Sequence, residues 1–246
     1  MSETDPTITY PRRKAIRAVL RTLIRGAFAV LADFNVIGTE NLPKEGPLLV
    51  IGNHFSFLDP VALIGMLPFP LEFIGGSQMP NAPGAVSWLA RVYGVLPVRR
   101  GSISRDSLRA SRKVLNDKGV LGIFPEGGSW ATVLRPARPG SAYLATCTHA
   151  NILPVGLDGL IDLFPSIRAG RRPKITFNIG KPFGPFFVSD RGVADRQRLD
   201  DLGHEFMRRI AELIPAERRG HYSGSAAIRE AAVAASVYPW ENTQEQ

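Results

Sequence analysis

Cysteine is almost absent: the 246-residue chain holds one, Cys147. No internal disulfide framework or Cys-rich zinc module can be built from it, and a reducing compartment such as the cytoplasm fits. Histidine is scarce too. His54, His149, His204 and His221 are the full set, and none shows ligand spacing with another, so no metal is expected. No stretch reaches about 18 uncharged apolar residues, so no transmembrane helix is expected. The opening residues lack the compact apolar core and cleavage site of a secretory signal. The 24 Gly and 20 Pro follow no period, which excludes collagen-like and low-complexity chains.

What the chain does have is core-forming material and positive charge. Its hydrophobic fraction, 44%, is that of a globular protein, and its length can bury a sizeable core. Thirty Lys and Arg against 22 Asp and Glu leave a net charge of +8. That balance predicts an acidic or phosphate-bearing partner: nucleic acid, anionic lipid or a phosphorylated small molecule.

Residues 11–31 read as a helix opened by Pro11 at its first position. Lys14, Arg17, Arg21 and Arg25 share one face, and Ile16, Val19, Leu20, Leu23, Ala27 and Val30 lie roughly opposite. Ile24 and Phe28 stray towards the basic side. Such a helix suits the surface of an anionic membrane, where each cation contributes roughly 1 kcal/mol. The competing reading is a core-packing helix with a basic outer face. Nucleic-acid binding is not expected, because no helix-turn-helix, zinc or RNP pattern accompanies the charge.

Beyond this helix, strand-like and helix-like segments alternate. Residues 48–51, 72–74, 95–98, 120–124, 152–157 and 175–179 read as strands. Residues 60–67, 84–93, 104–117, 141–150 and 196–214 read as helices. The alternation predicts an α/β domain whose mostly parallel central sheet is flanked by helices. The expected organisation is a basic amphipathic membrane-interface helix over 1–34, the α/β domain over 35–219, and a tail over 220–246 with a turn at 220–224 and a short helix at 226–237.

Three stretches carry chemistry. The first is Asn53-His54-Phe55-Ser56-Phe57-Leu58-Asp59-Pro60, between a strand and a helix, where α/β sheets place ligands. His54 and Asp59 fall on different faces of a regular helix, but a loop can fold one onto the other. A carboxylate on one imidazole nitrogen leaves the other free as a base. Alternatively Asp59 is the N-cap of a helix with Pro60 at its first position, and His54 satisfies a loop carbonyl. The second stretch, Phe124-Pro125-Glu126-Gly127-Gly128-Ser129, ends a strand with an acid and two glycines that permit close backbone approach to a ligand. Glu126 would bind a substrate hydroxyl or orient a base, or simply be solvated. The third, Gly94 through Gly101, puts Arg99 and Arg100 at the end of a strand, where they can grip a phosphate or sit in solvent.

In order and spacing these blocks, with Ile152-Leu153-Pro154-Val155 after them, resemble the glycerolipid acyltransferase family of the 1-acylglycerol-3-phosphate acyltransferase type. The resemblance runs over residues 35–185. It implies acyl transfer from acyl-CoA or acyl carrier protein, as cosubstrate, to the hydroxyl of a lysophospholipid, giving phosphatidic acid in the simplest case. It implies His54 as general base, Asp59 as its orienting acid, Arg100 as a ligand of acceptor phosphate with Arg99 beside it, and Glu126 as a residue that helps bind the acceptor. Asn53 and Ser56 support the loop, and Gly127 and Gly128 border the substrate. No covalent acyl-enzyme and no cofactor are implied. The expected place is the cytoplasmic face of the membrane, as a peripheral protein. One departure stands out. The family follows Glu-Gly with Thr or Ser and then Arg, whereas Gly128 and Ser129 occur here. Arg135 or Arg138 would then substitute, or the acceptor lacks the phosphate, as in an ornithine-type or glycolipid acyltransferase. A basic peripheral membrane protein without turnover is the non-enzyme alternative.

Overall fold

The computed structural model describes residues 10–76, 84–98, 105–187, 196–235 and 237. Arg99 and Arg100 lie outside them. The expected alternation is present: α1 (Lys14–Leu31), β1 (Asp33–Ile37), β2 (Leu48–Gly52), α2 (Asp59–Met66), β3 (Glu72–Gly76), α3 (Gly84–Tyr93), β4 (Leu96–Val98), α4 (Arg105–Asn116), β5 (Val120–Ile123), α5 (Pro139–Thr148), β6 (Asn151–Asp158), α6 (Leu163–Arg168), β7 (Lys174–Ile179), α7 (Arg196–Ala211) and α8 (Ala226–Ala235). Two elements go beyond the pattern read from sequence, β1 and the six-residue α6. The 220–224 turn contains a 3-10 turn, Gly220–Tyr222.

Among the described residues seven strands form one sheet in the order β1-β7-β6-β2-β5-β3-β4. Every pair is parallel except β6 with β7. β2 is buried along its whole length, as a central strand covered on both faces must be. Its alternation divides the core. Leu48 and Val50 face a cluster with Ile24 and Phe28 of α1, Leu63 of α2 and Phe177 of β7. Leu49 and Ile51 face the other, with Leu115 of α4, Leu144 of α5 and Phe206 and Ile210 of α7. Burying each such side chain stabilises the fold by roughly 1.5–3 kcal/mol.

The amino-terminal helix is mounted the other way round from the simplest amphipathic expectation. Its inward residues are Arg17, Ile24 and Phe28. Arg17 is buried and grips Glu72 at the start of β3 through two bonds, Nη1 to Oε1 at 2.5 Å and Nη2 to Oε2 at 2.8 Å. Arg12 donates to the same carboxylate, Nε to Oε2 at 3.1 Å. Arg13 binds the carbonyls of Arg91 and Val92, and Arg21 that of Pro68. Burial alone would raise the Glu72 carboxyl, but the bonds from Arg17 and Arg12 overcome this and hold it below the usual carboxylate range. α1 also approaches α2 closely: a Cβ on Gly65 would stand 2.6 Å from Ile24 Cγ2. The side turned to solvent carries large apolar residues, with Val19 59%, Leu23 63% and Val30 73% exposed, alongside exposed Lys14 and Arg25.

Candidate active site

β2 and β5 run parallel, so the loops that follow them emerge at the same edge of the sheet. Those two loops carry the first two motifs read above. Asn53 anchors the first loop from below. Its side chain is fully buried and pairs with β6 as a further strand residue would: Nδ2 donates to the Leu157 carbonyl at 2.8 Å, and Oδ1 accepts the Leu157 N–H at 2.7 Å. With both amide atoms engaged, Asn53 lies beneath the site rather than facing a ligand.

The next residues turn around Asp59. Its Oδ2 accepts the backbone N–H of Phe55 and of Ser56, each at 2.7 Å, and faces His54 Nδ1 at 3.0 Å. Asp59 therefore satisfies the turn behind it, and its side chain makes no cap bond to α2, which starts at Asp59 itself. Ser56 completes the turn, its Oγ accepting the Leu58 N–H at 3.2 Å. An oxygen that receives two backbone donors is an acceptor, so the imidazole nitrogen beside it carries the proton. In the neutral imidazole that assignment leaves Nε2 of His54 as the acceptor, the form a general base needs. Burial raises the Asp59 carboxyl above its ordinary value, and the bond from His54 and the two backbone donors pull against that rise. The imidazole stacks on Phe124, centroids 4.2 Å apart and planes at 19°. Nδ1 and one ring face are thus fixed while part of the side chain, 16%, stays open. Phe124 opens the second stretch but has no role in the reading of the sequence; an apolar residue at the end of a strand carries no chemical signal.

The second loop is tied to the first by Glu126. This side chain is buried. Its Oε1 accepts the backbone N–H of His54 at 2.8 Å, and its Oε2 accepts the backbone N–H of Arg135 at 3.2 Å, with Arg135 Nε 3.4 Å away. Burial pushes the Glu126 carboxyl up to about 7, with Arg135 opposing the rise. Gly127 follows with φ at +79°, and its N–H closes the turn on the Phe124 carbonyl at 3.0 Å. That left-handed conformation favours glycine. A Cβ on Gly128 would meet the Trp130 ring at 2.4 Å. Arg135 is buried against this turn: its guanidinium carbon lies 3.3 Å from the Trp130 ring centroid, and Nη2 donates to the Gly128 carbonyl. It acts inside the loop and does not replace the missing motif arginine as an open phosphate ligand. Among the described residues no group of three or more His, Cys, Asp or Glu side chains could hold a metal ion.

The structure thus brings together His54, Asp59, Ser56 and Glu126–Gly128, seats Asn53 underneath, and leaves Arg99 and Arg100 outside the described residues. A family model described as acyltransferase matches residues 33–158. A 1-acyl-sn-glycerol-3-phosphate acyltransferase of Borreliella burgdorferi is 32% identical over 125 residues, 50% of this chain and 50% of that enzyme. The chain thus spans about half the length of that relative. A protein of the same name from Bacillus subtilis is 24% identical over 179 residues, covering 72% of this chain and 86% of its own. Among solved structures, the 1-acyl-sn-glycerophosphate acyltransferase PlsC of Thermotoga maritima matches with a TM-score of 0.56 and 25% identity, over 84% of each chain.

Proposed function

Since the chain belongs to the acyltransferase family, we propose that it moves a fatty acyl group from a thioester, acyl-CoA or acyl carrier protein, to the hydroxyl of a lysophospholipid, 1-acylglycerol-3-phosphate first among them. The observation that carries this reading is the Asp59 carboxylate held 3.0 Å from Nδ1 of His54, which turns Nε2 into the free ring nitrogen. Nε2 accepts the hydroxyl proton as the acceptor oxygen attacks the thioester carbonyl. The tetrahedral intermediate then collapses, the C–S bond breaks, and the thiolate departs and takes up a proton from the imidazolium or water. Oxygen acylation needs no nucleophilic Ser or Cys. Asp59 keeps Nδ1 protonated and stabilises the imidazolium that forms.

The protein works at a membrane surface in this reading, on the cytoplasmic side. No helix among the described residues is long and apolar enough to cross a bilayer. The outward stripe of α1 supports a shallow insertion instead. A second acceptor class is favoured by one observation: Arg135 is engaged by Gly128, Trp130 and Glu126, and Gly128-Ser129 stand where the family has its arginine. A phosphate-free acceptor accords with that loop.

The test is thiol release from palmitoyl-CoA, with and without lysophosphatidic acid, beside His54→Ala. Acceptor-dependent release that disappears in the variant supports the reading. Release from phosphate-free acceptors alone selects the second class. Silence with every acceptor and with carrier-protein donors overturns acyl transfer.

A further inference from the structure

Of the four cations of α1, Arg17 and Arg21 are bonded within the chain, as are Arg12 and Arg13 just before it, while Lys14 and Arg25 are exposed. The strand register shows where other charge faces out. β7 runs antiparallel to β6, with Asp158 opposite Thr176, so the start of β7 lies beside the carboxyl end of β6. That is the edge of the sheet from which the His54 loop emerges, because β2 and β6 are parallel. β1 begins at the same edge, with Asp33 opposite Lys174.

The connection between α6 and β7 crosses this edge with four cations in seven residues, Arg168, Arg171, Arg172 and Lys174, all exposed. Arg172 donates to the carbonyls of Ala29 and Ala32 at 2.7 and 2.6 Å, which pins the connection to the last turn of α1. The basic segment therefore continues the apolar stripe that ends at Val30 and Leu31, both exposed. On its other side Phe164, 42% exposed, stacks on Phe57 of the His54 loop with centroids 6.0 Å apart. A cleft of about 390 Å³ opens within the segment, lined by Ser166, Arg171, Arg172 and Lys174, with Asp162 the acid at its rim.

We propose that the 168–174 segment is the surface that docks on anionic lipid headgroups and turns the catalytic edge towards the bilayer. This rests on the membrane-surface reading above and gives it a location other than the basic residues of α1. Charge complementarity together with the flanking apolar stripe and exposed Phe164 commits the surface to a bilayer. An acidic carrier protein would pair with the cations but leave Val30, Leu31 and Phe164 in water.

The experiment uses the full chain and a combined Arg168→Gln, Arg171→Gln, Lys174→Gln variant. Sedimentation is measured with vesicles of phosphatidylcholine alone and with 30% phosphatidylglycerol added, at low salt. Turnover is measured separately with a short-chain lysophosphatidic acid dissolved as monomers. Each cation near an anionic surface strengthens binding about fivefold, so the variant should lose about a hundredfold in affinity for the phosphatidylglycerol vesicles. Its binding to neutral vesicles and its turnover of the dissolved acceptor should equal the parent's. Unchanged binding to anionic vesicles overturns the proposal. So does loss of dissolved-acceptor turnover with vesicle binding intact, which would assign the cations to a substrate or a carrier protein. Vesicle binding is read without catalysis, so a parent protein inactive in every assay would count against acyl transfer and leave this surface tested.

Discussion

The backbone N–H of His54 donates to Oε1 of Glu126, 72 residues further along, at 2.8 Å. The acid of the second motif thus holds the main chain of the first, and its other oxygen holds Arg135. This brace explains a burial that would be odd for a residue meeting substrate from solvent. The carboxyl is pushed up to about 7 in the folded protein, from an ordinary value of 4.5. Between those values the folded state binds the extra proton, so stability falls as pH rises through that window. Glu126→Gln removes the titration. Urea unfolding at pH 5 and pH 8 should show the parent losing on the order of 1–3 kcal/mol more than the variant across the interval. Equal losses would count against the raised value.

His54→Ala should reduce turnover at least roughly 100-fold, the scale of a lost general base, while thermal unfolding stays close to the parent's. Asp59→Asn should act on both properties. Asp59 Oδ2 faces three donors at 2.7 to 3.0 Å, and an amide oxygen in its place is an uncharged and weaker acceptor for all three. A loss of about 1–3 kcal/mol in stability is expected, together with reduced kcat. Full activity in either variant contradicts the assigned tautomer.

The bond between Arg17 and Glu72 fastens α1 to β3. Glu72→Ala leaves Arg17 buried without its carboxylate and should cost about 3–5 kcal/mol at neutral pH. The carboxyl is held below the usual range, so its contribution is present above about pH 4.5 and fades as pH falls through the folded value. The gap between parent and variant should therefore narrow on acidification, which urea titrations at pH 7 and pH 3.5 will show. A gap independent of pH contradicts the latch.

Val19→Glu with Leu23→Glu tests the outward stripe. Both positions are more than half exposed, so stability should change by no more than about 0.5 kcal/mol. Binding to neutral vesicles should fall at least about tenfold, since each apolar side chain taken out of water contributes roughly 1.5–3 kcal/mol. Unchanged sedimentation would remove α1 from the membrane contact.

The strands, most helices and the pairing of His54 with Asp59 were legible in the sequence, because apolar runs between Gly and Pro signals mark central strands and because both residues sit in one loop. Three features were not. β1, Asp-Phe-Asn-Val-Ile, is half exposed and gains its identity from pairing with β7, over 130 residues away. The grip of Glu126 on His54 runs through a main-chain N–H, which no residue type betrays. The helical wheel set a basic face against an apolar one in α1 but could not say that Arg17, Ile24 and Phe28 turn inward. That depends on Glu72 and on carbonyls at Pro68, Arg91 and Val92, partners supplied by distant parts of the chain.

The proposed membrane contact of the outward apolar residues of α1 alters what substrate concentration means for this protein. Under the proposed reading, with α1 in a leaflet and a lysophospholipid as acceptor, that acceptor reaches His54 by lateral diffusion in two dimensions. The governing quantity is then its mole fraction in that leaflet, not its amount per litre. Adding inert lipid at constant bulk acceptor should slow turnover by surface dilution. Successive turnovers on one vesicle should outpace transfer to the next, so that in a mixed population some vesicles are converted fully before others are touched.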